Sequence, residues 1–547
     1  MTNVLFIMCD QLRADYLSCN GHPYLHTPHI DRLAEMGVNF SRAYVQAPIC
    51  GPSRACFYTG RYASTHGATL NYAPLALSEK FLGDYLTPLG VRTALCGKSH
   101  IVPNRAELDR LNIRPEHPLY TRLAEGGFEP FFRDDGVHPD PNPDKFADYN
   151  HFLREQGYTG HNPWHQFTHG VDSKERGFQS GWFLENANLP ADIPEALSET
   201  PVTTTKAIEF IDEATANGEP WCLHLSYIKP HWPFMAPAPY TDLYSEKHLL
   251  PPNRTESERE AGHPVIDAFM QHQDSRVYQH PGGRERVIPT YMGLIKQIDD
   301  QIGRLLAHLE EKNLLKTTLI IFTSDHGDYL GDHWLGEKDL FHEESVRVPM
   351  IVVDPSPLAD KTRGSLDNRL VEALDVVPTL IDFLGGEIPA ERLEGRSLLP
   401  LLRAQPIPWR NFVVSEIDYA FRKAREWLNL EPAKCKATMI YDGRWKYILY
   451  EGFRPQLFDL ESDPKEQHDL GSLPEFGSER DRLNNQLFTW FRHRKRRTTL
   501  SDESIKEMFG GWNQARRGVY VGYWSPDDLP IKVKGRDRQT EQEDGAC

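Results

Sequence analysis

Two continuous apolar runs that each end in acidic residues constrain the fold of this chain more than any other feature. The run NVLFIMCD, Asn3–Asp10, has the length and composition of a strand buried on both faces of a sheet. The run TTLIIFTSDHGD, Thr317–Asp328, repeats this arrangement, with Asp325 and His326 after the apolar residues. The residues before the second run recur at helical spacing: Tyr291, Leu294, Ile295, Ile298, Ile302, Leu305, Leu306 and Leu309. A helix that precedes a buried strand predicts an α/β fold, whose ligands lie at the carboxyl ends of the strands.

Two further apolar runs also stop at polar residues that can take part in chemistry. The segment Pro220–Phe234 predicts a strand followed by a proline-rich loop that carries His231. The segment Val91–His100 predicts a short strand that ends at Lys98 and His100. We therefore expect a large mixed, mostly parallel sheet flanked by helices, with these side chains gathered at one edge.

The length of 547 residues exceeds what one hydrophobic core usually serves, so we expect two domains. Residues 1–404 are predicted to form the large α/β domain, with an insertion at about 103–190 that covers the site. Residues 405–547 are predicted to form a smaller α+β domain, because KATMIYDGRWKYILYEG has the pattern of a hairpin around Asp442 and Gly443. The tail is predicted to pack, on a neighbouring subunit for example, because it keeps aromatic residues: Phe509, Trp512, Tyr520, Tyr523 and Trp524.

Charge and cysteine content exclude several classes of function. The formal net charge of -17 disfavours nucleic acid or an anionic membrane as the main partner, since both are bound through excess Lys and Arg. No apolar run is long enough to span a bilayer. Because residues 3–10 already have the pattern of a strand, we expect no signal peptide. The eight cysteines form no CxxC pairs, which argues against a disulfide framework. We expect a cytoplasmic protein.

The segment ICGPSRACFYTGRY, Ile49–Tyr62, places a cysteine where a small buried hydrophobic residue is an unconvincing explanation. Pro52 breaks extended pairing, Ser53 could cap a following helix, and Arg54 puts a fixed cation within one turn of Cys50. These conditions suit a thiolate or an anion at a helix N-terminus.

This segment resembles the C-x-P-S-R motif, with its T-G-R extension, of the sulfatase family of the alkaline phosphatase superfamily. The resemblance covers most of the chain, apart from the insertion and the last forty or so residues. It implies that Cys50 is oxidised to formylglycine, whose hydrated aldehyde is the nucleophile. One hydroxyl of the hydrate would attack sulfur, and the other would later lose its proton and expel the bound anion as the aldehyde re-forms.

The resemblance also implies one divalent metal, with Asp10, Gln11, Cys50, Asp325 and His326 as its ligands. Two acids and a histidine at the ends of two buried strands fit a cation better than helix capping. Gln11 and His326 depart from the usual sulfatase pattern of a second acid and an asparagine, and resemble the phosphonate monoester hydrolase branch. An imidazole ligand in place of an oxygen ligand should shift the preference from Ca²⁺ towards Mn²⁺, Fe²⁺ or Zn²⁺, and we expect Mn²⁺.

Further residues match the motifs that surround the substrate in sulfatases: GKSH, KPHWP and the segment GEKDLFHEESVRVP. Carried over, Lys98 and Lys338 would bind the sulfate oxygens, and His231 would protonate the departing oxygen. His100 would assist the aldehyde hydroxyl and Arg54 would hold the diol. Asn71 is a weaker candidate for a substrate contact. The pair Lys98 and His100 argues against the phosphonate branch. The predicted metal ligands thus resemble that branch, whereas the predicted substrate-binding residues resemble sulfatases.

The sequence thus predicts hydrolysis of small sulfate monoesters, with promiscuous activity on phosphonate and phosphate esters. Aryl sulfates are the first choice, because Trp164, Trp182 and Trp232 could stack on a ring. The alternatives are a phosphonate monoester or phosphodiester hydrolase, a choline-sulfatase-like enzyme, and a non-catalytic anion- or metal-binding protein with an unmodified Cys50. The expected protein partners are a formylglycine-generating or sulfatase-maturing enzyme and further copies of the chain, as a dimer or tetramer.

Overall fold

The computed structural model describes residues 2–136, 139, 148–260, 262–495, 497–511 and 524–528. Its strands in chain order are β1 Asn3–Asp10, β2 Val38–Phe40, β3 Ala43–Tyr44, β4 Arg92–Gly97, β5 Glu129–Arg133, β6 Gly170–Ser173, β7 Gly177–Ser180, β8 Trp221–Pro230, β9 Thr318–Ser324, β10 Arg347–Val348, β11 Met350–Val353, β12 Ser365–Asp367, β13 Val371–Glu372, β14 Val413–Asp418, β15 Lys436–Tyr441, β16 Trp445–Tyr450 and β17 Gln456–Asp459.

The α-helices in chain order are α1 Pro28–Met36, α2 Cys50–Thr59, α3 Ala63–His66, α4 Leu82–Leu86, α5 Arg105–Arg110, α6 Tyr120–Ala124, α7 Asp148–Glu155, α8 Glu199–Ala216, α9 Ser257–Glu260, α10 Pro264–Met270, α11 Gln273–Arg276, α12 Gly283–Glu311, α13 Glu343–Val346, α14 Val376–Phe383, α15 Leu399–Leu402, α16 Lys423–Trp427, α17 Gly477–Arg492 and α18 Asp502–Gly511. None of the helices in this described part is both long enough and apolar enough to cross a membrane.

The central sheet has eight strands in the order β12-β2-β11-β9-β1-β8-β4-β5. All of its pairings are parallel except the two that β11 makes with β2 and β9. The expected large, mixed and mostly parallel sheet is confirmed. The four predicted strands are β1, β4, β8 and β9, and they lie side by side in the middle of this sheet.

The alternation of side chains along β1 explains why its apolar run is continuous. Phe6 and its alternate neighbours lie in one core with residues of α2 and α14, whereas Ile7 and its alternate neighbours lie in a second core with α12. Because both faces of the strand are covered by helices, every side chain from Asn3 to Asp10 is buried. The predicted amphipathic helix is α12, which spans 29 residues.

The segment predicted to be an insertion contributes one strand to the central sheet. β5 pairs with β4 in parallel at the sheet edge, and Phe131 packs edge-on against Phe210 of α8 with ring centroids 5.4 Å apart. Five residues are too few for periodicity to reveal this strand, so the sequence interpretation as loop missed it. The rest of the described insertion consists of short helices and the β6–β7 hairpin.

A second, fully antiparallel sheet of four strands, β14-β15-β16-β17, follows in the chain. The predicted hairpin around Asp442 and Gly443 is the β15–β16 turn, where Gly443 has φ 95°. α17 covers one face of this sheet through Leu483, Leu487 and Trp490.

The described chain divides into two units, residues 1–388 with 393–494 and residues 389–392 with 495–547. The second unit contains α18 and the exposed Trp524. Trp512, Tyr520, Tyr523 and the side chain of Phe509 lie outside the described residues. The domain boundary at residue 404, the packing tail and the oligomer stay predictions.

Candidate active site

The central strands deliver their polar residues to one edge of the sheet. Asp10 is the last residue of β1, and Asp325 follows β9, its parallel neighbour. The Asp325 backbone N–H donates to the Cys9 carbonyl at 3.2 Å, which extends the ladder to this point. Lys98 follows β4 in the same way, and His231 follows β8. The expectation that two buried strands bring acids to one edge is confirmed.

Cys50 is the first residue of α2 and faces this edge. Ile49 is the N-cap in an extended conformation, and Gly60, at φ 65°, ends the helix through a hydrogen bond to the Cys56 carbonyl. Ser53 was expected to cap the helix, and this was wrong. The helix begins three residues earlier, so Ser53 lies inside its first turn and its hydroxyl donates to the Asp325 carbonyl.

Four side chains at this edge could hold a metal ion. The ligand atoms of Asp10, Cys50, Asp325 and His326 all lie within 4.8 Å of one another, and all four residues are buried. Cys50 Sγ lies 3.1 Å from His326 Nε2 and 3.7 Å from Asp10 Oδ1. His326 Nδ1 donates to the Gly327 carbonyl at 2.8 Å, so Nε2 is the ring nitrogen that faces the cluster, the arrangement typical of metal-binding histidines.

Gln11, the fifth predicted ligand, lies beside this cluster. Its backbone N–H donates to Asp325 Oδ1 at 3.0 Å. Its side-chain amide donates to Asp328, and its side-chain oxygen accepts from Lys338 Nζ at 2.8 Å. The backbone at Gln11 is left-handed, with φ 69°, a strained conformation that is common at functional sites.

The guanidinium of Arg54 holds the two acids together and is almost fully buried. Nε donates to Asp325 Oδ2 at 2.8 Å, and Nη2 donates to Asp10 Oδ2 at 3.3 Å. Nη1 donates to the Lys98 carbonyl and to the Ser226 hydroxyl. The structure thus places Arg54 on the carboxylates, and its predicted contact with the diol stays a prediction.

Positive side chains surround Cys50. Lys98 Nζ lies 2.6 Å from Asp10 Oδ2, and Lys338 Nζ lies 3.2 Å from His231 Nε2. Burial opposes ionisation of the Cys50 thiol, but Lys338, His326 and Lys98 outweigh it and lower the pKa of Cys50 well below its usual range. The site therefore stabilises negative charge at residue 50.

His100 and Asn71 lie on the open side of the nucleophile. The Asn71 side-chain oxygen accepts from the Gly51 N–H at 2.8 Å, so it satisfies the helix N-terminus next to Cys50. His100 has a left-handed backbone, with φ 56°, and its N–H donates to Asp135 Oδ1. His100 Nδ1 is buried and has no hydrogen-bond partner among the described residues.

A cavity of about 770 Å³ opens above Cys50 and is lined by most of the predicted substrate residues. Aromatic side chains form one wall: Trp164, Trp182 and Trp232. The rings of Trp182 and Trp232 meet edge-on, with centroids 4.7 Å apart. The predicted aromatic flank of the site is therefore in place.

Sequence reasoning missed several residues of this site. Asp135 accepts the backbone N–H groups of Ser99 and His100, and Arg422, from the loop after β14, contributes to the cavity wall. Glu337 also lines the cavity, with φ 56°. The position of Glu337 directly before Lys338 was a usable signal, but nothing in the local sequence around Arg422 pointed to the cavity.

Comparison with known proteins finds matches along most of the chain. The Sulfatase family model matches residues 2–151 and 134–386, and the model for the C-terminal region of N-sulphoglucosamine sulphohydrolase matches residues 331–493. The multifunctional alkaline phosphatase superfamily protein PehA of Trinickia caryophylli is 31% identical over 504 residues, which cover 87% of this chain and 92% of that protein.

An arylsulfatase and a phosphonate monoester hydrolase are also similar to this chain. An arylsulfatase of Clostridium perfringens is 28% identical over 519 residues, which cover 92% of this chain and 97% of that protein. The crystal structure of a phosphonate monoester hydrolase of Agrobacterium radiobacter superposes with a TM-score of 0.77 at 26% identity, covering 92% of this chain and 99% of that one. With a family match over most of its length and a relative above 30% identity, the chain belongs to the sulfatase family of the alkaline phosphatase superfamily, a group of sulfuric ester hydrolases.

Proposed function

We propose that this protein hydrolyses aryl sulfate monoesters through a formylglycine nucleophile at residue 50, with a divalent metal. The observation that carries the proposal is the position of Cys50 Sγ, 3.7 Å from Asp10, 3.1 Å from His326 and beside two lysines. A nucleophile at that point has a cation site on one side and a positively charged cavity on the other.

The residues at the edge of the sheet fit a divalent cation. Burial and Asp10 raise the pKa of Asp325, because two carboxylates share a site where water cannot screen them. A cation bound by Asp10, Gln11, Asp325, His326 and residue 50 would relieve this repulsion. When bound, it would favour the ionised nucleophile and polarise a sulfate oxygen. The imidazole of His326 supports Mn²⁺ over Ca²⁺.

Conversion of Cys50 requires a formylglycine-generating or sulfatase-maturing enzyme acting on the C-x-P-S-R motif before folding is complete. This order is supported by burial, because Cys50 is only 2% exposed in the folded chain. In the mature enzyme, Arg54 would keep Asp10 and Asp325 in place next to the nucleophile.

Lys98 and Lys338 would stabilise the charge that develops on the sulfate oxygens. Both residues are buried, Lys98 at 5% and Lys338 at 4% exposure, so water screens their charges little. In a site of this kind, removal of one such donor typically costs about 10²–10³ in kcat.

His231 would protonate the leaving oxygen. Its Nδ1 donates to the Trp232 carbonyl at 2.6 Å, so Nε2 is the nitrogen that faces the cavity. Burial and the nearby Lys338 lower the pKa of His231, which makes the protonated ring a stronger acid. The bond from sulfur to the leaving oxygen breaks as the nucleophile attacks, and this proton ends on the alcohol.

Phosphonate monoester hydrolysis is the second candidate. It is favoured by Gln11 and His326, which match that branch, and by the likeness to the Agrobacterium radiobacter enzyme. Lys98 and His100 favour sulfate, because they match the G-K-x-H motif of sulfatases.

The deciding experiment measures kcat/KM for an aryl sulfate and an aryl phosphonate with the same leaving group, using protein made with a maturing enzyme. We expect the sulfate to react faster and the Cys50→Ala variant to be inactive on both esters. A much higher kcat/KM for the aryl phosphonate would favour phosphonate monoester hydrolysis over sulfate monoester hydrolysis. Mass analysis of the tryptic peptide 43–54 tests the modification, since an unmodified, alkylatable cysteine in active protein would refute it.

A further inference from the structure

A buried lysine lies directly beneath the loop that carries His231. Lys229 is the penultimate residue of β8 and is 3% exposed. It is not one of the residues that line the cavity above Cys50. An ammonium group is costly to bury, so its partners indicate what it does.

The Lys229 ammonium makes three hydrogen bonds, which match its three protons. Nζ donates to the backbone carbonyls of His231 at 3.3 Å and Pro233 at 3.1 Å, and to His169 Nε2 at 2.7 Å. His169 Nδ1 lies 3.3 Å from the Trp164 carbonyl, to which it donates in the neutral tautomer that leaves Nε2 free to accept from Lys229. The ammonium is therefore fully satisfied within the described structure.

The three successive carbonyls of the loop are all held. The His231 and Pro233 carbonyls bind Lys229, and the Trp232 carbonyl between them accepts the Nδ1 proton of the His231 ring. The orientation of that ring therefore depends on a backbone segment whose two ends are fixed by Lys229.

The same lysine is linked to the aromatic wall of the cavity. Glu199, the first residue of α8, lies 3.6 Å from Lys229 Nζ and accepts the indole N–H of Trp164. The ring of Trp164 packs on His169, with centroids 4.0 Å apart. Through these contacts one buried charge connects the His231 loop with the wall formed by Trp164.

We propose that Lys229 is a positioning residue for the leaving-group end of the site, which sets the His231 ring and the Trp164 wall relative to each other. The inference rests on the proposed function, because it gives His231 the role of proton donor. It adds that the precision of this proton transfer is set by a residue outside the cavity. Misplacement of a catalytic group by about 1 Å can cost about 10²-fold in rate.

The test compares Lys229→Met with the double variant Lys229→Met, Glu199→Gln. The single variant removes the ammonium group and leaves the buried Glu199 carboxylate with only His169 and the Trp164 N–H beside it, so it is expected to lose stability for that reason alone. The double variant removes both charges, and its glutamine can still accept the Trp164 N–H, so it is expected to regain the thermal midpoint of the wild type. Lys206→Met, on the exposed side of α8, is the matched control and should not alter the rates.

The readout is kcat/KM for a series of aryl sulfates whose leaving groups differ in pKa. The double variant is expected to lose about 10- to 100-fold on poor leaving groups and less than about threefold on nitrophenol-type ones. His231→Ala should show the same trend, and the combined variant should lose little more than His231→Ala alone.

A stable double variant with equal losses across the series, or with none, would overturn the inference. These results differ from a failure of the proposed function, in which the wild type would not hydrolyse aryl sulfates. They also differ from a failure of the His231 role, in which His231→Ala would lose activity equally on all leaving groups.

Discussion

Replacement of Arg54 by methionine would test the electrostatic design of the site through stability instead of activity. Arg54 is 1% exposed and bridges Asp10 and Asp325. At the 2.8 Å separation from Asp325, Coulomb attraction is worth about 6 kcal/mol at an effective dielectric constant of about 20. Loss of one partner of such a buried pair costs about 3–5 kcal/mol, because the carboxylates stay buried.

The corresponding change in melting temperature is small but measurable. The entropy of unfolding is about 2.1 cal/mol/K per residue, or about 1.1 kcal/mol/K for a chain of this length. Metal-free Arg54→Met protein should therefore melt about 3–4 °C below the wild type. Addition of Mn²⁺ should raise the variant's midpoint more than that of the wild type, because a divalent cation replaces the missing charge and binds a more negative site.

Thermal scans of chelated and Mn²⁺-loaded protein, at one scan rate, would measure both effects. Arg42→Met is the matched control, because Arg42 makes one long hydrogen bond of 3.4 Å to the Gly443 carbonyl and should shift the midpoint by less than about 1 °C. The reasoning is refuted if the metal-free Arg54→Met protein has the same melting temperature as the metal-free wild type, or if Mn²⁺ raises the melting temperatures of the two proteins equally.

Two further predictions concern the metal and the aromatic wall. Chelation should abolish turnover, and Mn²⁺ should restore more activity than Ca²⁺. In the His326→Asn variant the preference for Mn²⁺ over Ca²⁺ should narrow or reverse, because an amide oxygen replaces the imidazole. Turnover rates measured with each metal check this. An unchanged preference would contradict the assignment of His326 as a metal ligand. Trp164→Ala should raise KM for aryl sulfates about tenfold and leave KM for small alkyl sulfates nearly unchanged, because only an aryl ring would stack on the indole. Equal increases in steady-state KM for both ester types would remove Trp164 from substrate binding.

The central part of the fold could be predicted from the sequence because its signals are local. The runs that became β1 and β9 are continuous because helices cover both faces of the sheet, and α12 shows its buried side as a helical repeat. β5 gave no such signal, since its pairing with β4 depends on contacts distant in the sequence.

The residues of the candidate site could likewise be predicted from the sequence, because the segment around Cys50 and the acids that follow two strands are short, local patterns. Only the tertiary structure decided how these groups act on each other. It placed Arg54 on the two carboxylates, gave Gln11 and His100 left-handed backbones, and set Lys229 beneath the His231 loop. Such arrangements depend on distances between segments tens to hundreds of residues apart, and these distances are fixed only when the sheet and its helices pack.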